Sequence, residues 1–393
     1  MSGACVFATA ESVSAIKPAE WDALANPDPA RFNPFVAHAF LLALEQSGSA
    51  TVRTGWRGAH ASVRDKDGRL VAAAPLYLKS HSRGEYVFDQ GWAEAWERAG
   101  REYYPKLLCA VPFTPVTGPR LMAHDAQARA FLADALIDLT RENGLSSLHV
   151  NFLPEDELNA LAPAGFLKRM DQQFHFINRG YSDFGTFLAT LSHDKRKNLR
   201  RERARALEND ISFVWKRGKE ITETDWDHFF AFYMDTGNRK WGSPYLTRAF
   251  FSLLGAAMGE SVLLILAARA RRPIAGALNL IGGDAIYGRY WGAIEHHPFL
   301  HFETCYHQAI DFALANGLAR VEAGAQGMHK LARGYEPVPV YSAHFIADER
   351  LRDAVARYLK EERKAVAEDI SILSTHTPFR KNEAPTNESG GLP

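Results

Sequence analysis

The alternation of hydrophobic and polar positions predicts a chain of both helices and strands. Apolar residues recur at spacings of three and four over residues 125–143, 224–236 and 302–316, which is typical of amphipathic helices. Short apolar runs over 148–152 and 262–269 predict strands buried between such helices. Helices and strands alternate along the chain, so we expect an α/β (α+β) fold with mixed, mostly antiparallel sheets.

One stretch combines the features of a ligand cleft. Apolar runs over 274–281 and 285–294 flank Gly-Gly-Asp, which predicts a hairpin because glycine tolerates the backbone of a tight turn. Glycines inside the second run remove side chains and let another group approach the backbone. A helix over 302–316, a short strand over 318–324 and a polar loop over 326–333 follow.

The order of predicted elements occurs twice. Residues 70–78 and a predicted strand over 85–89 parallel the hairpin, and each pair precedes an amphipathic helix that ends in Asn-Gly-Leu and then a strand. Internal similarity of this kind predicts a tandem repeat. We therefore expect a first unit over 1–180, a second over 181–374 with a C-terminal helix, and a disordered tail over 375–393. Two unrelated α/β units with similar strands are the alternative.

Composition narrows the class of protein. Hydrophobic residues make up 46% of the 393 positions and the net charge is zero, so the chain can bury a core and is no general polyanion binder. We therefore expect no DNA partner. Three scattered cysteines provide neither a disulfide framework nor zinc-ligand spacing. With no signal peptide visible and no apolar run near the ~20 residues of a membrane span, the expected location is the cytoplasm.

Several segments resemble a known family of enzymes. The segments 187–191, 195–201 and 211–213 look like the start of the second GNAT unit in Fem-type peptidyltransferases. The whole chain resembles predicted N-acyltransferases of the GNAT superfamily that carry a peptidoglycan biosynthesis/recognition label. The matching segments are 84–89, 103–108, 112–120, 287–292, 301–306 and 322–327.

The resemblance implies two tandem GNAT-like units and transfer of an acyl or aminoacyl group. The donor would be a co-substrate, aminoacyl-tRNA or acyl-CoA, without a tightly bound cofactor. The acceptor would be an amine on a small molecule or peptide, and tRNA is a candidate partner. The glycine-rich turn that holds pyrophosphate in simple acetyl-CoA enzymes has no clear copy here, which favours a different carrier.

A basic segment over 195–205 is the candidate site for carrier phosphates. Most of its cationic side chains fall on one broad side of a helix, where they can contact phosphates without reading sequence. The residues assigned to this role are Arg196, Lys197, Arg200 and Arg201. A solvated helix face is the alternative.

Acyl transfer to an amine needs a base, a stabilised oxyanion and a proton for the leaving group. The candidate bases are Glu322, on a buried strand, and Glu303, in the first turn of a helix. Arg289 is the expected ion-pair partner of Glu322, and Tyr290 is the candidate acid. In the duplicated fold we assign the chemistry to the second unit.

Other polar and aromatic side chains are candidates for substrate binding. They are Arg289, His301, His329, Lys330, Arg333, Tyr287, Trp291 and, from the first unit, Lys106. Cys305 falls on the apolar stripe of its helix, so we expect a buried, inert thiol and no nucleophile. His307 and Asp311 share a helix face, but spacing fixes no third ligand, so we expect no metal.

These observations favour an N-acyltransferase without metal or covalent intermediate. A non-catalytic module that recognises a peptidoglycan or nucleotide-linked ligand is the main alternative. An acyl-CoA-dependent enzyme acting on a small metabolite is a third possibility.

Overall fold

A computed structural model describes residues 5–240, 244–324 and 327–380, and the side chains of 238–240 are left out. The strands are β1 (Val6–Ala10), β2 (Trp56–Gly58), β3 (His60–Arg64), β4 (Leu70–Ala74), β5 (Leu76–Lys79), β6 (Lys106–Cys109), β7 (Met122–Ala123), β8 (Ser147–Leu153), β9 (Leu167–Ile177), β10 (Ile211–Arg217), β11 (Val262–Arg269), β12 (Arg272–Ile281), β13 (Ala285–Ala293), β14 (Arg320–Glu322) and β15 (Tyr335–Ile346).

The α-helices flank the sheets. They are α1 (Pro18–Ala25), α2 (His38–Gln46), α3 (Gln90–Arg98), α4 (Ala126–Glu142), α5 (Glu155–Leu161), α6 (Phe184–Ala189), α7 (His193–Ala206), α8 (Glu223–Lys240), α9 (Arg248–Met258), α10 (Leu300–Phe302), α11 (Gln308–Ala315) and α12 (Glu349–Thr375). A π-helical turn, Glu303–His307, joins α10 to α11, and a 3₁₀ segment, Met328–Arg333, precedes β15. The α/β fold class is confirmed.

Within the described residues, eleven strands form one sheet in the order β10-β11-β12-β13-β14-β9-β15-β8-β6-β5-β2. A smaller sheet contains β1, β3, β4 and β7. The same pairing order occurs in both halves of the large sheet. Antiparallel β5 and β6 continue into parallel β8, just as antiparallel β12 and β13 continue into parallel β14.

The closing strands of the two halves are exchanged. β9 follows β8 in the chain but pairs with β14, whereas β15 follows β14 but pairs with β8. β9 and β15 also pair with each other along their length and join the halves into one sheet. The division into units at residue 180 stays a prediction.

Apolar side chains cover both faces of the second half of the sheet. One core combines α2, α8 and α9 with β11–β13 residues such as Leu278 and Tyr287. The other combines α6, α7 and α11 with Ile286 and Val321, whose side chains point to the opposite face because strand side chains alternate. Of the helices in the described ranges, none is long and apolar enough to cross a membrane.

Two local predictions need comment. The predicted strand over 85–89 is wrong: these residues form bends and irregular backbone, because Glu85 and Asp89 turn inward to the ammonium of Lys106. Part of the predicted tail is ordered, since α12 ends at Thr375 and Phe379 packs beside Leu191. Residues 381–393 lie outside the described residues.

Candidate functional site

A slot opens in the sheet where β13 and β14 separate. The two parallel strands pair only from Ala285 to Tyr287, opposite Arg320–Glu322. β13 then continues to Ala293, while β14 ends at Glu322. A β-bulge lies in the separated part of β13, where Arg289 has no partner on β12. The separation exposes backbone edges that a continuous sheet would cover.

A cavity of about 120 Å³ occupies this slot. Its lining comes from β12, β13, the residue after β14 and the helix that follows β13. The lining residues are Ala277, Leu278, Asn279, Gly288, Arg289, Tyr290, Trp291, His301, Cys305, Tyr306 and Ala323. Arg289, Tyr290, Trp291 and His301 are therefore brought together as predicted site residues.

The helix beside the cavity contains the π-helical turn. Such turns are rare in proteins, and many of those that occur lie at functional sites. Cys305 lies in this turn, packs against an apolar core and lines the cavity half-buried, so the expectation that its thiol is buried is wrong, and the expectation that it is inert stays a prediction.

Polar groups of the following loop lie next to this wall. The Tyr306 hydroxyl lies 3.0 Å from Nε2 of His329. Burial and the charge of Arg333 lower the pKa of His329, so its ring is neutral at neutral pH. Lys330 is 2% exposed and donates to the Gly324 carbonyl at 3.1 Å, and burial lowers its pKa to about 8.

Arg289 and Tyr290 connect the slot to the first half of the chain. The Arg289 Nη2 and the Tyr290 hydroxyl donate to the Phe113 carbonyl at 2.7 and 3.2 Å. Burial raises the pKa of Tyr290, so the hydroxyl keeps its proton at neutral pH. Phe113 has a φ of 58°, a left-handed backbone conformation that turns its carbonyl toward these donors.

Glu322 lies at the closed end of the slot and is 5% exposed. Its ion-pair partner is Arg320, whose Nε donates to Oε1 at 2.9 Å, so the expected pairing with Arg289 is wrong. Oε2 has no hydrogen-bond partner among the described residues and lies 3.6 Å from His175 Nε2. Tyr287 stands beside Glu322 in the strand register and packs against Phe35, outside the cavity.

Two further candidates are held in buried ion pairs with α7. Arg203 donates to both oxygens of Glu303, at 2.8 and 3.1 Å, and also to Asp311. Arg333 forms a bidentate ion pair with Glu202, in which Nε donates to Oε1 at 2.7 Å and Nη2 donates to Oε2 at 2.6 Å. Glu303 and Arg333 therefore fix α7 against the helix beside the cavity and do not line it.

The opposite side of α7 carries the predicted phosphate-binding residues. Lys197, Arg200 and Arg201 are exposed, and Arg196 is half-buried. Leu199, Glu202 and Ala206 form the buried side of the same helix. Because α7 packs against the helix that lines the cavity, its basic face lies on the same side of the sheet as the cavity's helical wall.

Residues 12–381 match the FemAB-like family, described as peptidoglycan biosynthesis/recognition. The chain belongs to this family. The predicted resemblance to Fem-type members of the GNAT superfamily is thereby confirmed. Among curated protein sequences, none matches this FemAB-like protein.

Solved structures show the same fold at low sequence identity. The crystal structure of FemX is 13% identical and has a TM-score of 0.53, covering 87% of this chain and 98% of that one. The C-terminal domain of a putative lysylphosphatidylglycerol synthetase from Agrobacterium fabrum is 8% identical with a TM-score of 0.53, covering 93% and 100%. A conserved protein of unknown function from Bacteroides thetaiotaomicron is 11% identical with a TM-score of 0.50, covering 86% and 99%.

Lys106 of the FemAB-like protein belongs to a separate polar network in the first half. Its ammonium is fully buried and donates to Ser82, Glu85 and Asp89. Burial raises the pKa of Glu85 to about 7. Burial also favours the protonated form of Asp89, but the charges of Lys106 and His149 and the hydrogen bonds from Lys106 and Ser82 together outweigh it and hold the pKa of Asp89 low. Lys106 therefore anchors the segment that precedes α3 and does not line the cavity.

The structure adds Asn279, Tyr306 and the Phe113 carbonyl to the site. Asn279 could have been found, because it is the polar residue within an apolar run that predicts a buried strand. Nothing in the sequence indicates which carbonyl Arg289 meets. Within the described residues, no group of three or more His, Cys, Asp or Glu side chains could hold a metal ion.

Proposed function

We propose that this protein transfers an acyl or aminoacyl group from an activated, phosphate-bearing carrier to an amine. Membership in the FemAB-like family supports a transferase of this general kind. The observation that carries the proposal is the cavity between the separated strands β13 and β14, because it opens backbone edges and polar side chains to a reacting group. An open cavity favours catalysis over a recognition module whose polar groups are all internally paired.

The carrier would bind along α7. Its exposed cations offer electrostatic contacts to phosphates, and its buried side is fixed by the pairs Arg203–Glu303 and Arg333–Glu202. A fixed helix loses little conformational freedom when a long ligand binds. Both aminoacyl-tRNA and acyl-CoA carry the phosphates that such a face requires.

Residues at the slot have the properties that acyl transfer needs. The bulge at Arg289 interrupts the register between β13 and β12, and a backbone amide that a bulge frees can polarise an acyl carbonyl. The protonated hydroxyl of Tyr290 can supply a proton to the leaving group. Both residues line the cavity, and the Tyr290 hydroxyl would leave the Phe113 carbonyl to supply this proton.

Of the two candidate bases, Glu322 fits the geometry better. Its Oε2 has no hydrogen-bond partner within the described residues, whereas both oxygens of Glu303 accept hydrogen bonds from Arg203. A carboxylate with a free oxygen beside the slot can take the proton of the attacking amine, directly or through one water. Glu303 then has a structural role.

Carrier binding tests the proposal. We would titrate the protein with acetyl-CoA, a longer acyl-CoA and a charged tRNA at several salt concentrations. If tRNA is the carrier, the Arg200→Ala/Arg201→Ala variant binds it more weakly, and the slope of log affinity against log salt falls by about 0.7 to 0.9 for each phosphate that the variant leaves without a cation. The control variant, Arg53→Ala/Lys66→Ala, removes two exposed cations from the first half.

The outcomes separate the three functions. Salt-dependent tRNA binding that only the α7 variant weakens supports a Fem-type mechanism. Binding of CoA derivatives alone supports an acyl-CoA enzyme. Binding of neither carrier contradicts the proposed transfer and leaves the recognition module as the better explanation.

A further inference from the structure

Asn279 is a buried side chain that lacks part of its hydrogen bonding. It is 1% exposed, lies in the apolar strand β12 and lines the cavity. Its Oδ1 has no hydrogen-bond partner among the described residues. Leaving such an oxygen unpaired is unfavourable, so a ligand that donates a hydrogen bond to it gains affinity.

The orientation of the Asn279 amide follows from its neighbours. Nδ2 faces the carbonyl oxygens of Leu263 and Ala277 at 3.5 and 3.4 Å. A flipped amide would place Oδ1 against these two oxygens, where neither atom can donate. Oδ1 therefore points away from them, across the strand toward β13.

Gly288 leaves the space that this oxygen faces. A Cβ atom built on Gly288 would lie 3.5 Å from Asn279 Oδ1 and 3.6 Å from the Glu322 carbonyl oxygen, with no other heavy atom within 4 Å beyond its chain neighbours. Both atoms that border the gap are hydrogen-bond acceptors. The gap therefore suits a group that donates hydrogen bonds and disfavours an alkyl group.

We propose that Asn279 Oδ1 and the gap at Gly288 form a subsite for the ammonium group of an aminoacyl donor, which makes Asn279 a specificity-determining residue. The inference rests on the proposed transfer function and deepens it by choosing between acyl and aminoacyl groups. Gly288 directly precedes the bulged Arg289, whose amide would meet the acyl carbonyl. The α-ammonium of an aminoacyl group is separated from its carbonyl carbon by a single carbon atom, which matches these adjacent positions.

The surroundings tolerate a positive charge. The guanidinium of Arg289 is drawn away to the Phe113 carbonyl and lies 5.7 Å from the Phe35 ring, in the core on the other face of the sheet. Trp291 and Tyr306 contribute aromatic rings to the cavity wall, and ring faces attract cations.

Matched ligands that differ only in the amino group test this subsite. One pair is 3′-glycylamido- and 3′-acetamido-3′-deoxyadenosine, and the other is S-(3-amino-2-oxopropyl)-CoA and S-(2-oxopropyl)-CoA. Calorimetry would measure each affinity for the wild type and for Asn279→Leu, Asn279→Asp and Gly288→Ala. We expect the wild type to bind the amino member of the accepted pair about tenfold or more tightly, as for a charge-assisted hydrogen bond.

The variants show whether the named atoms cause the preference. Asn279→Leu removes the acceptor at similar volume, and Gly288→Ala fills the gap at ordinary contact distances. Both variants should therefore bind the two members of a ligand pair with about equal affinity. Asn279→Asp should keep or increase it, because it retains an acceptor. Gly91→Ala, whose Cβ meets open space in α3, is the control for a glycine-to-alanine change and should keep it.

Each outcome separates this inference from the proposed function. Equal binding of both members of a pair, or an undiminished preference in Asn279→Leu and Gly288→Ala, overturns the subsite while the transfer function stands. Binding of no ligand from either pair overturns both. Melting curves would identify a variant that does not fold. If either Asn279→Leu or Gly288→Ala does not fold, the other of the two variants decides whether the subsite exists.

Discussion

Gly292 provides a sharp test of how closely α8 approaches the candidate site. A Cβ built on Gly292 would lie 2.1 Å from the carbonyl carbon of Phe232 and 2.5 Å from the amide nitrogen of Tyr233. These are backbone atoms in the middle of α8, so no side chain can rotate away. The Gly292→Ala variant would force α8 back by about 1 Å to reach the 3.4 Å of ordinary contact.

The expected loss of stability follows from the contacts that this displacement of α8 disturbs. Overpacking of a tightly packed core costs about 1 to 3 kcal/mol. The Thr236 hydroxyl of α8 also accepts the Ala293 N–H at 3.1 Å, and losing that hydrogen bond costs about 0.5 to 1.5 kcal/mol more. We therefore expect Gly292→Ala to lower the free energy of unfolding by about 2 to 4 kcal/mol.

Thermal and urea denaturation of Gly292→Ala would be compared with Gly288→Ala on the same strand. The Cβ of Gly288→Ala meets its neighbours at 3.5 Å or more, so its stability should stay within about 1 kcal/mol of the wild type. Equal stability of Gly292→Ala and the wild type would refute the close approach of α8 to β13. Equal destabilisation of both variants would refute the steric difference between the two positions.

Two further predictions concern the ionisable groups. Glu322→Gln should reduce the rate of acyl transfer by about a hundredfold or more in protein that is still folded, although it also weakens the ion pair with Arg320 and so lowers the melting temperature. Glu303→Gln should lower the melting temperature, because it weakens the ion pair with Arg203, but leave the rate of the folded enzyme largely unchanged. A Glu322→Gln enzyme of normal rate would remove Glu322 as base. Burial lowers the pKa of Lys330 from 10.5 to about 8, so between these two pH values the folded protein binds fewer protons at this residue than the unfolded chain does. The stability of the wild type relative to Lys330→Met should therefore rise from pH 8 to pH 10.5. A stability difference that stays constant across denaturation curves at these pH values would contradict the lowered pKa.

Elements with strong periodicity were predictable from the sequence. The helix predicted over 125–143 is α4, with Asp125 capping its first turn, and the hairpin around Gly282 and Gly283 is β12–β13. The strand predicted over 85–89 failed although Tyr86 to Phe88 have high β-propensity. Local preference was overridden there by two carboxylates that satisfy a buried ammonium more than fifteen residues away.

The candidate site was predictable only in part, for a related reason. Glycine-rich β13 and the polar residues near it indicated a cleft, and four of them line the cavity. The partners of Glu303 and Arg333 are a hundred or more positions distant on α7. Spacing along the chain carries no information about such pairs. Charged residues in structural ion pairs could therefore not be distinguished in the sequence from charged residues that line the site.

The exchanged strands β9 and β15 have a consequence for synthesis on the ribosome. β8 is buried along its whole length and needs β15 as its neighbour, yet β15 is translated almost two hundred residues later. Until Ile346 leaves the exit tunnel, a nascent first half presents an apolar, unpaired strand edge, which is the kind of surface that aggregates. We expect this chain to complete its fold only after translation is nearly finished and to depend on chaperones that shield the β8 edge in the interval.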